Sequence, residues 1–229
     1  MKVDGFLASL SGEDADALTS AGVRRTYGAH VTLVHQDDEA GPVVVLLGGR
    51  AKISFTEGGR EAIFGVVGPG ELIGELAAIE GSPRSTTVTT LEPVDALVIP
   101  RSDFLGLLDR RPRIAVGILH VVARRLRYAD AQRAQYATLD VAGRLAQRLL
   151  ELSDRFGVEQ KGGIEIRLPL SQEELASWVG ASREAVSKAF QLLRTLGIVE
   201  TGRRRVTVLD LDALGRHARW GVPPEVQPR

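Results

Sequence analysis

The sequence changes character at Arg101, and no other feature narrows the fold as far. Between Gly28 and Pro100 it reads as short β-type runs, VTLV, PVVVLL, AKISF, EAIFGVV, TTVTT and ALVIP, separated by the turn signals GG, EGG and GPG. Short strands at regular spacing with tight turns predict an antiparallel barrel or roll. From Ser102 to about Leu139 no proline follows Pro112 and no glycine follows Gly117, and the run IAVGILHVVARRLRYADAQRAQY consists of residues that tolerate a helix. A β-roll running into a long helix is therefore expected, in an α+β chain.

Composition then removes whole classes of function. At 229 residues and 44% apolar content the chain has material for two cored domains. It has no cysteine, which excludes disulfides, thiol catalysis and cysteine-held iron-sulfur clusters. The four histidines, His30, His35, His120 and His217, show no paired ligand spacing, so no metal is expected, and His120 is expected to be packed or hydrogen-bonded on the long helix. No apolar run approaches the roughly 18 to 20 residues of a membrane span, and MKVDGFLASL lacks the regions of a signal peptide, so a cytoplasmic protein without membrane contact is expected. No nucleophile and base pair, metal cluster or Walker loop appears, so no catalytic residue is assigned and no enzyme is expected. The formal net charge is zero; Lys and Arg number 15 against 17 acidic residues before Asp140, and 14 against 12 from it onward. Binding to nucleic acid must therefore come from a local patch.

On the long helix Leu119, Val122, Leu126, Ala129, Arg133 and Tyr136 alternate three and four apart, as a partner-facing stripe requires, with Arg133 needing to snorkel or pair. A parallel pair of such helices predicts a homodimer. A second helical run, RLAQRLLELSDRF, follows LDVAGR, then a loop GVEQKGG and an extended run IEIRLPL.

The stretch Ser171 to Val199, SQEELASWVGASREAVSKAFQLLRTLGIV, carries the strongest chemical signal. Ser171 with Glu174 three residues on forms a capping box, and Ser182 caps a second helix. Gly180 can take the left-handed conformation that ends the first, and small Ala176 allows a close crossing. On the second helix Val186, Ala189, Phe190 and Leu193 share one face, leaving Arg183, Glu184, Ser187, Lys188 and Gln191 on the other. Such side chains at the start of a recognition helix read base edges in the major groove. Ser171 and Gln172, at the start of the first helix, join Ser182 among the candidate DNA-contacting residues. Beyond them GIVETGRRRVTVLD reads as a β-hairpin tipped by Arg203, Arg204 and Arg205, placed to touch phosphates as a wing does.

GELIGELAAIEGSPRSTTVTT, the helix containing VARRL, the junction LDVAGR and ASREAVSKAF, in that order from about Phe6 to Asp212, together resemble the cyclic-AMP receptor protein/FNR family of bacterial transcription regulators. The resemblance implies an N-terminal antiparallel, jelly-roll-like, cyclic-nucleotide-binding β-roll over residues 1–112, a dimerisation helix over 113–139, and a C-terminal winged helix-turn-helix domain over 140–229. It implies a phosphate-binding cassette from Gly74 to Thr86. There Gly74, Glu75 and Leu76 open a short helix whose amide end faces an anion, Arg84 offers a planar fork to a cyclic phosphate, and Ser85 and Thr86 add hydroxyls. Glu75 would accept from a ribose 2′-hydroxyl, and Arg125 matches the family arginine that pairs with it. The base-contacting positions, hydroxyl residues in the family, are Ala129 and Asp130 here, and a carboxylate also suits the paired donors of guanine. Cyclic AMP is the expected allosteric ligand, with cyclic GMP as competitor. Arg183, Glu184 and Lys188 match the residues that read TGTGA-like half-sites of a palindrome in double-stranded DNA. The loop Gly157 to Gly163 stands where the family meets RNA polymerase. A ligand-independent regulator, and a nucleotide-binding module acting through protein contacts, remain open beside this reading.

Overall fold

A computed structural model describes residues 5–167 and 169–220, Trp220 by its backbone alone. They gather into two units that part between Arg127 and Tyr128. In the first, a 3-10 turn (Phe6–Ser9) and α1 (Gly12–Ser20) precede β1 (Val23–Tyr27), β2 (Thr32–Val34), β3 (Val43–Gly48), β4 (Ala51–Glu57), β5 (Arg60–Val67) and β6 (Leu72–Ile73). Then come α2 (Glu75–Glu80), β7 (Thr87–Thr90), β8 (Val94–Ile99), α3 (Arg101–Arg110) and α4 (Pro112–Thr138). The strands form two antiparallel four-stranded sheets, β1-β8-β3-β6 and β2-β7-β4-β5, the roll anticipated from the punctuated apolar runs.

Strand β3 shows why those runs are so continuously apolar. Val44 and Leu46 point between the sheets, into a core with Val88, Val94 and Ala96, while Val43 and Val45 point the other way, against Phe6, Phe104, Ile114 and Ile118 of the helices. Both faces of the strand are buried, so alternation disappears. Strand β1 is the opposite case: VRRTY is exposed along nearly its whole length and pairs only with β8, and neither it nor the two-residue β6 was anticipated.

The expected single helical stretch from Ser102 is two helices. Arg111, with φ −134° and ψ 76°, separates them because the residue before Pro112 is driven out of the helical region, and Pro112 then opens α4 where no amide donor is needed. On α4, Ile114, Gly117, Ile118 and Val121 face the core, whereas Val116, Leu119, Leu126 and Tyr136 are exposed. Of the dimer stripe, Arg133 pairs with Asp130 at 3.6 Å. His120, expected to be packed or hydrogen-bonded, is exposed and so is not packed.

The second unit continues from Tyr128 into α5 (Val141–Phe156), β9 (Val158–Gln160), β10 (Gly163–Arg167), α6 (Gln172–Val179), α7 (Arg183–Thr195), β11 (Val199–Gly202), β12 (Arg205–Val208) and α8 (Leu211–Trp220). Leu145, Leu149 and Leu152 of α5, Trp178 of α6, Leu193 of α7 and Leu214 of α8 make its core. The segment GVEQKGG, read as a loop, holds strand β9, which joins a sheet of order β11-β12-β10-β9. A helix-turn-helix beside the β11–β12 hairpin is the winged arrangement anticipated.

Candidate functional sites

The nucleotide cradle is built on Gly74. Its φ of 82° is left-handed, and a Cβ there would collide with the Arg84 guanidinium, so glycine is required twice over. That close approach lets Arg84, 5% exposed, donate from Nη1 to Gly74 O at 2.7 Å and from Nη2 to Pro42 O at 2.6 Å. Burial pulls the Arg84 pKa down while the charges of Glu75 and Asp38 oppose it, and a guanidinium remains cationic throughout. Two of its five N–H groups are used by these carbonyls, leaving three for an anion.

Glu75 is 1% exposed. Its Oε1 accepts from Arg125 Nη1 at 2.5 Å, and Arg125 Nη2 also donates to Leu72 O at 2.5 Å. Glu75 Oε2 is buried with no hydrogen-bond partner among the described residues. A buried carboxylate oxygen without a donor is unfavourable, and a ligand hydroxyl is the kind of group that completes it. Ser85 lies exposed and Thr86 half-buried on the same connection, and the Leu76 side chain turns outward. Gly74, Glu75, Arg84 and Arg125 are thus brought together as anticipated. Ala129 and Asp130 belong to the other unit, both exposed on the part of α4 beyond Arg127, where Asp130 faces Arg133.

In the second unit the Ser171 hydroxyl accepts from Glu174 N at 3.1 Å and the Glu174 side chain accepts from Ser171 N at 2.7 Å, the capping box in both directions. Gly180 ends α6 at φ 67°, packed on the Tyr136 ring, and Ser182 caps α7 through Ala185 N. Val186, Ala189 and Leu193 are buried, while Arg183, Glu184, Ser187 and Lys188 are exposed along one face of α7. Gln172 has a role the sequence did not reveal: its Oε1 accepts from Arg183 Nε at 3.2 Å, leaving the outer edge of the guanidinium free.

The wing differs from expectation in one detail. Arg203 and Arg204 form the turn, Arg204 at φ 54°, but Arg205 lies on β12 with its Nη1 3.7 Å from Glu165 Oε2. Missed entirely was Arg148, an arginine 2% exposed in the core of the second unit. Its signal was its position: three residues after Leu145 and four before Leu152, it falls on the apolar face of α5. Among the described residues no group of three His, Asp or Glu could hold a metal ion, and no helix is long and apolar enough to cross a membrane.

Residues 24–111 match the cyclic nucleotide-binding domain family and residues 143–217 the Crp-like helix-turn-helix domain family. Over 189 residues, 82% of this chain and 84% of the relative, the sequence is 33% identical to the CRP-like cAMP-activated global transcriptional regulator of Mycobacterium tuberculosis. It is 30% identical to the cyclic AMP receptor protein of Thermus thermophilus over 209 residues, 91% of this chain and 94% of that one. The crystal structure of a CRP-family transcriptional regulator, also from T. thermophilus, superposes with a TM-score of 0.72 at 27% identity, covering 87% of this chain and 98% of that one. The c-di-GMP-responsive global regulator of Xanthomonas campestris, at 24% identity and a TM-score of 0.77 over 87% and 100%, has the same fold. Fold and sites together define a DNA-binding transcription regulator with a cyclic-nucleotide-binding β-domain. The chain belongs to the cyclic-AMP receptor protein/FNR family, whose matched relatives are regulators and not enzymes.

Proposed function

We propose that this regulator is a cytoplasmic homodimer switched by a cyclic nucleotide, cyclic AMP in the first place with cyclic GMP as rival, held on Glu75, Arg84, Ser85 and Arg125. One observation carries the reading: Glu75 Oε2 is buried without a donor among the described residues, beside a buried arginine that retains free N–H groups. A ribose 2′-hydroxyl and a cyclic phosphate are the two halves of one molecule that satisfy both. The relatives' description as cAMP-activated supports the first choice of base, and Asp130, where a hydroxyl is usual, keeps guanine in contention. Dimerisation is supported by the exposed apolar row Leu119, Leu126 and Tyr136 on α4. In such a dimer two copies of α7 would enter major grooves about 34 Å apart, Arg183, Glu184 and Lys188 reading TGTGA-like half-sites while Arg203 and Arg204 touch phosphates. The turn between β9 and β10 is the surface offered to RNA polymerase.

Titration calorimetry with cyclic AMP and with cyclic GMP, on the wild type, Arg84→Ala and Asp130→Ala, tests the sensor. Heat is expected from the wild type and none from Arg84→Ala, and Asp130→Ala should weaken cyclic GMP more than cyclic AMP. No heat from either nucleotide on the wild type removes nucleotide control and leaves DNA binding standing. DNA binding is tested separately by gel shift, where failure to retard any duplex at low salt removes it.

A further inference from the structure

The part of α4 that belongs to the second unit, residues 128–138, is attached by the wrong kind of surface. Ala129, Asp130, Ala131, Arg133, Ala134, Tyr136, Ala137 and Thr138 are exposed. The three residues that are not, Tyr128, Gln132 and Gln135, are polar and lie on one face at four- and three-residue spacing. They converge on Arg148. Its Nη1 donates to Tyr128 Oη at 2.6 Å and to Glu151 Oε2 at 3.2 Å, and its Nη2 donates to Gln135 Oε1 at 2.7 Å. Tyr128 Oη donates to Glu151 Oε2 at 2.7 Å and accepts from Gln132. The guanidinium lies 5.6 Å from the Tyr128 ring centroid and 5.5 Å from that of Trp178 on α6.

A buried cation is a poor way to stabilise a core. Apolar residues of the same volume do as well or better, and here Arg148 Nε and Trp178 Nε1 are buried without partners among the described residues. What a planar fork supplies that a leucine cannot is direction, since three donors and two ring faces fix one angle between the elements they join.

We infer that Arg148 is a positioning residue which clasps the end of α4 to α5 and α6, so that α4 from Tyr128 onward and the recognition helix turn as one body. The clasp rests on the proposed dimeric regulator for its purpose: it sets the separation of two recognition helices from the pairing of two α4 helices. It does not rest on nucleotide binding.

The test uses the full-length protein and the variants Arg148→Met and Gln135→Leu. Arg148→Met leaves no stranded charge, because Glu151 keeps Tyr128 and Arg155, the latter 3.3 Å away, so the fold should survive. Gln135→Leu removes one arm of the clasp from a half-buried position. Fluorescence anisotropy with a palindromic duplex, and with the same duplex lengthened by one base pair between half-sites, reads the rigidity directly. Inserting one base pair displaces a half-site by about 3.4 Å and rotates it by about 34°. The wild type should lose about tenfold or more in affinity, Arg148→Met less than about threefold, with Gln135→Leu between them. Hydrogen exchange read over residues 128–138, with neither DNA nor nucleotide present, should quicken about tenfold in Arg148→Met while α5 and α7 keep their protection. A wild-type spacing penalty retained in Arg148→Met, or unchanged exchange over 128–138, overturns the clasp. Should the wild type itself show no spacing preference, the dimeric reading fails and exchange alone decides for or against the clasp.

Discussion

Replacing Arg125 by methionine strikes the nucleotide cradle where its charge balance is tightest. Arg125 supplies the only donor to Glu75 among the described residues, and Glu75 Oε2 is already bare. Without the guanidinium the buried carboxylate loses its charge partner, and the full desolvation cost of an unpaired ion falls on the folded state. Breaking a buried pair from one side costs about 3 to 5 kcal/mol, of which the lost Leu72 carbonyl bond accounts for about 1 kcal/mol, so Arg125→Met should destabilise the first unit by about 4 kcal/mol. Urea melts followed by far-UV circular dichroism measure this. Both tryptophans, Trp178 and Trp220, lie beyond Arg127, so tryptophan fluorescence gives the other unit as an internal control. The double variant Glu75→Gln/Arg125→Met, which removes the buried charge as well, should lose only about 1 to 2 kcal/mol. Equal losses in the single and double variants would mean that Arg125 matters only as packing, and the charge argument would fall.

Arg183→Ala should cost about 1 to 3 kcal/mol of discrimination between the target duplex and a scrambled one, measured by competition gel shift; an unchanged preference removes Arg183 from the reading set. Arg203→Ala should weaken all duplexes alike and reduce the salt slope by about one, measured as affinity against salt concentration; a loss confined to particular sequences would make the wing a base reader. Gly180→Ala forces a side chain into left-handed backbone at a cost of about 1 to 2 kcal/mol, and its Cβ would also stand 2.5 Å from Tyr136 Cε1. Adding Tyr136→Ala should recover part of that loss in thermal melts, and a loss identical in both backgrounds would refute the ring contact.

What could be read in advance was what is decided locally. The capping box at Ser171, the left-handed Gly180 and the cap at Ser182 each depend on residues within a few positions, and all three occur as the spacing implied. The cradle was legible only because its motif resembles a known family; nothing local shows that Arg84, ten residues from Gly74, folds back onto the Gly74 carbonyl. Strand β1 escaped because an edge strand exposed on both faces carries no alternation. The break at Arg111 was within reach of the proline rule but hidden by helical propensity on both sides. Arg148 was the deepest miss. A charged residue on the apolar face of RLAQRLLEL can be a solvated outlier or a buried anchor, and the choice depends on Tyr128 and Gln135, which come from another helix.

The two carbonyls that hold Arg84 have a consequence for selection. Each Nη gives one N–H to a backbone oxygen and keeps another, so an incoming anion can be met by Nε and both Nη atoms while Gly74 O and Pro42 O stay in place. The fork is preset before its guest arrives, and little side-chain freedom is left to lose on capture. Its spare N–H groups, already withdrawn from bulk water, reward a negatively charged acceptor more than a neutral one.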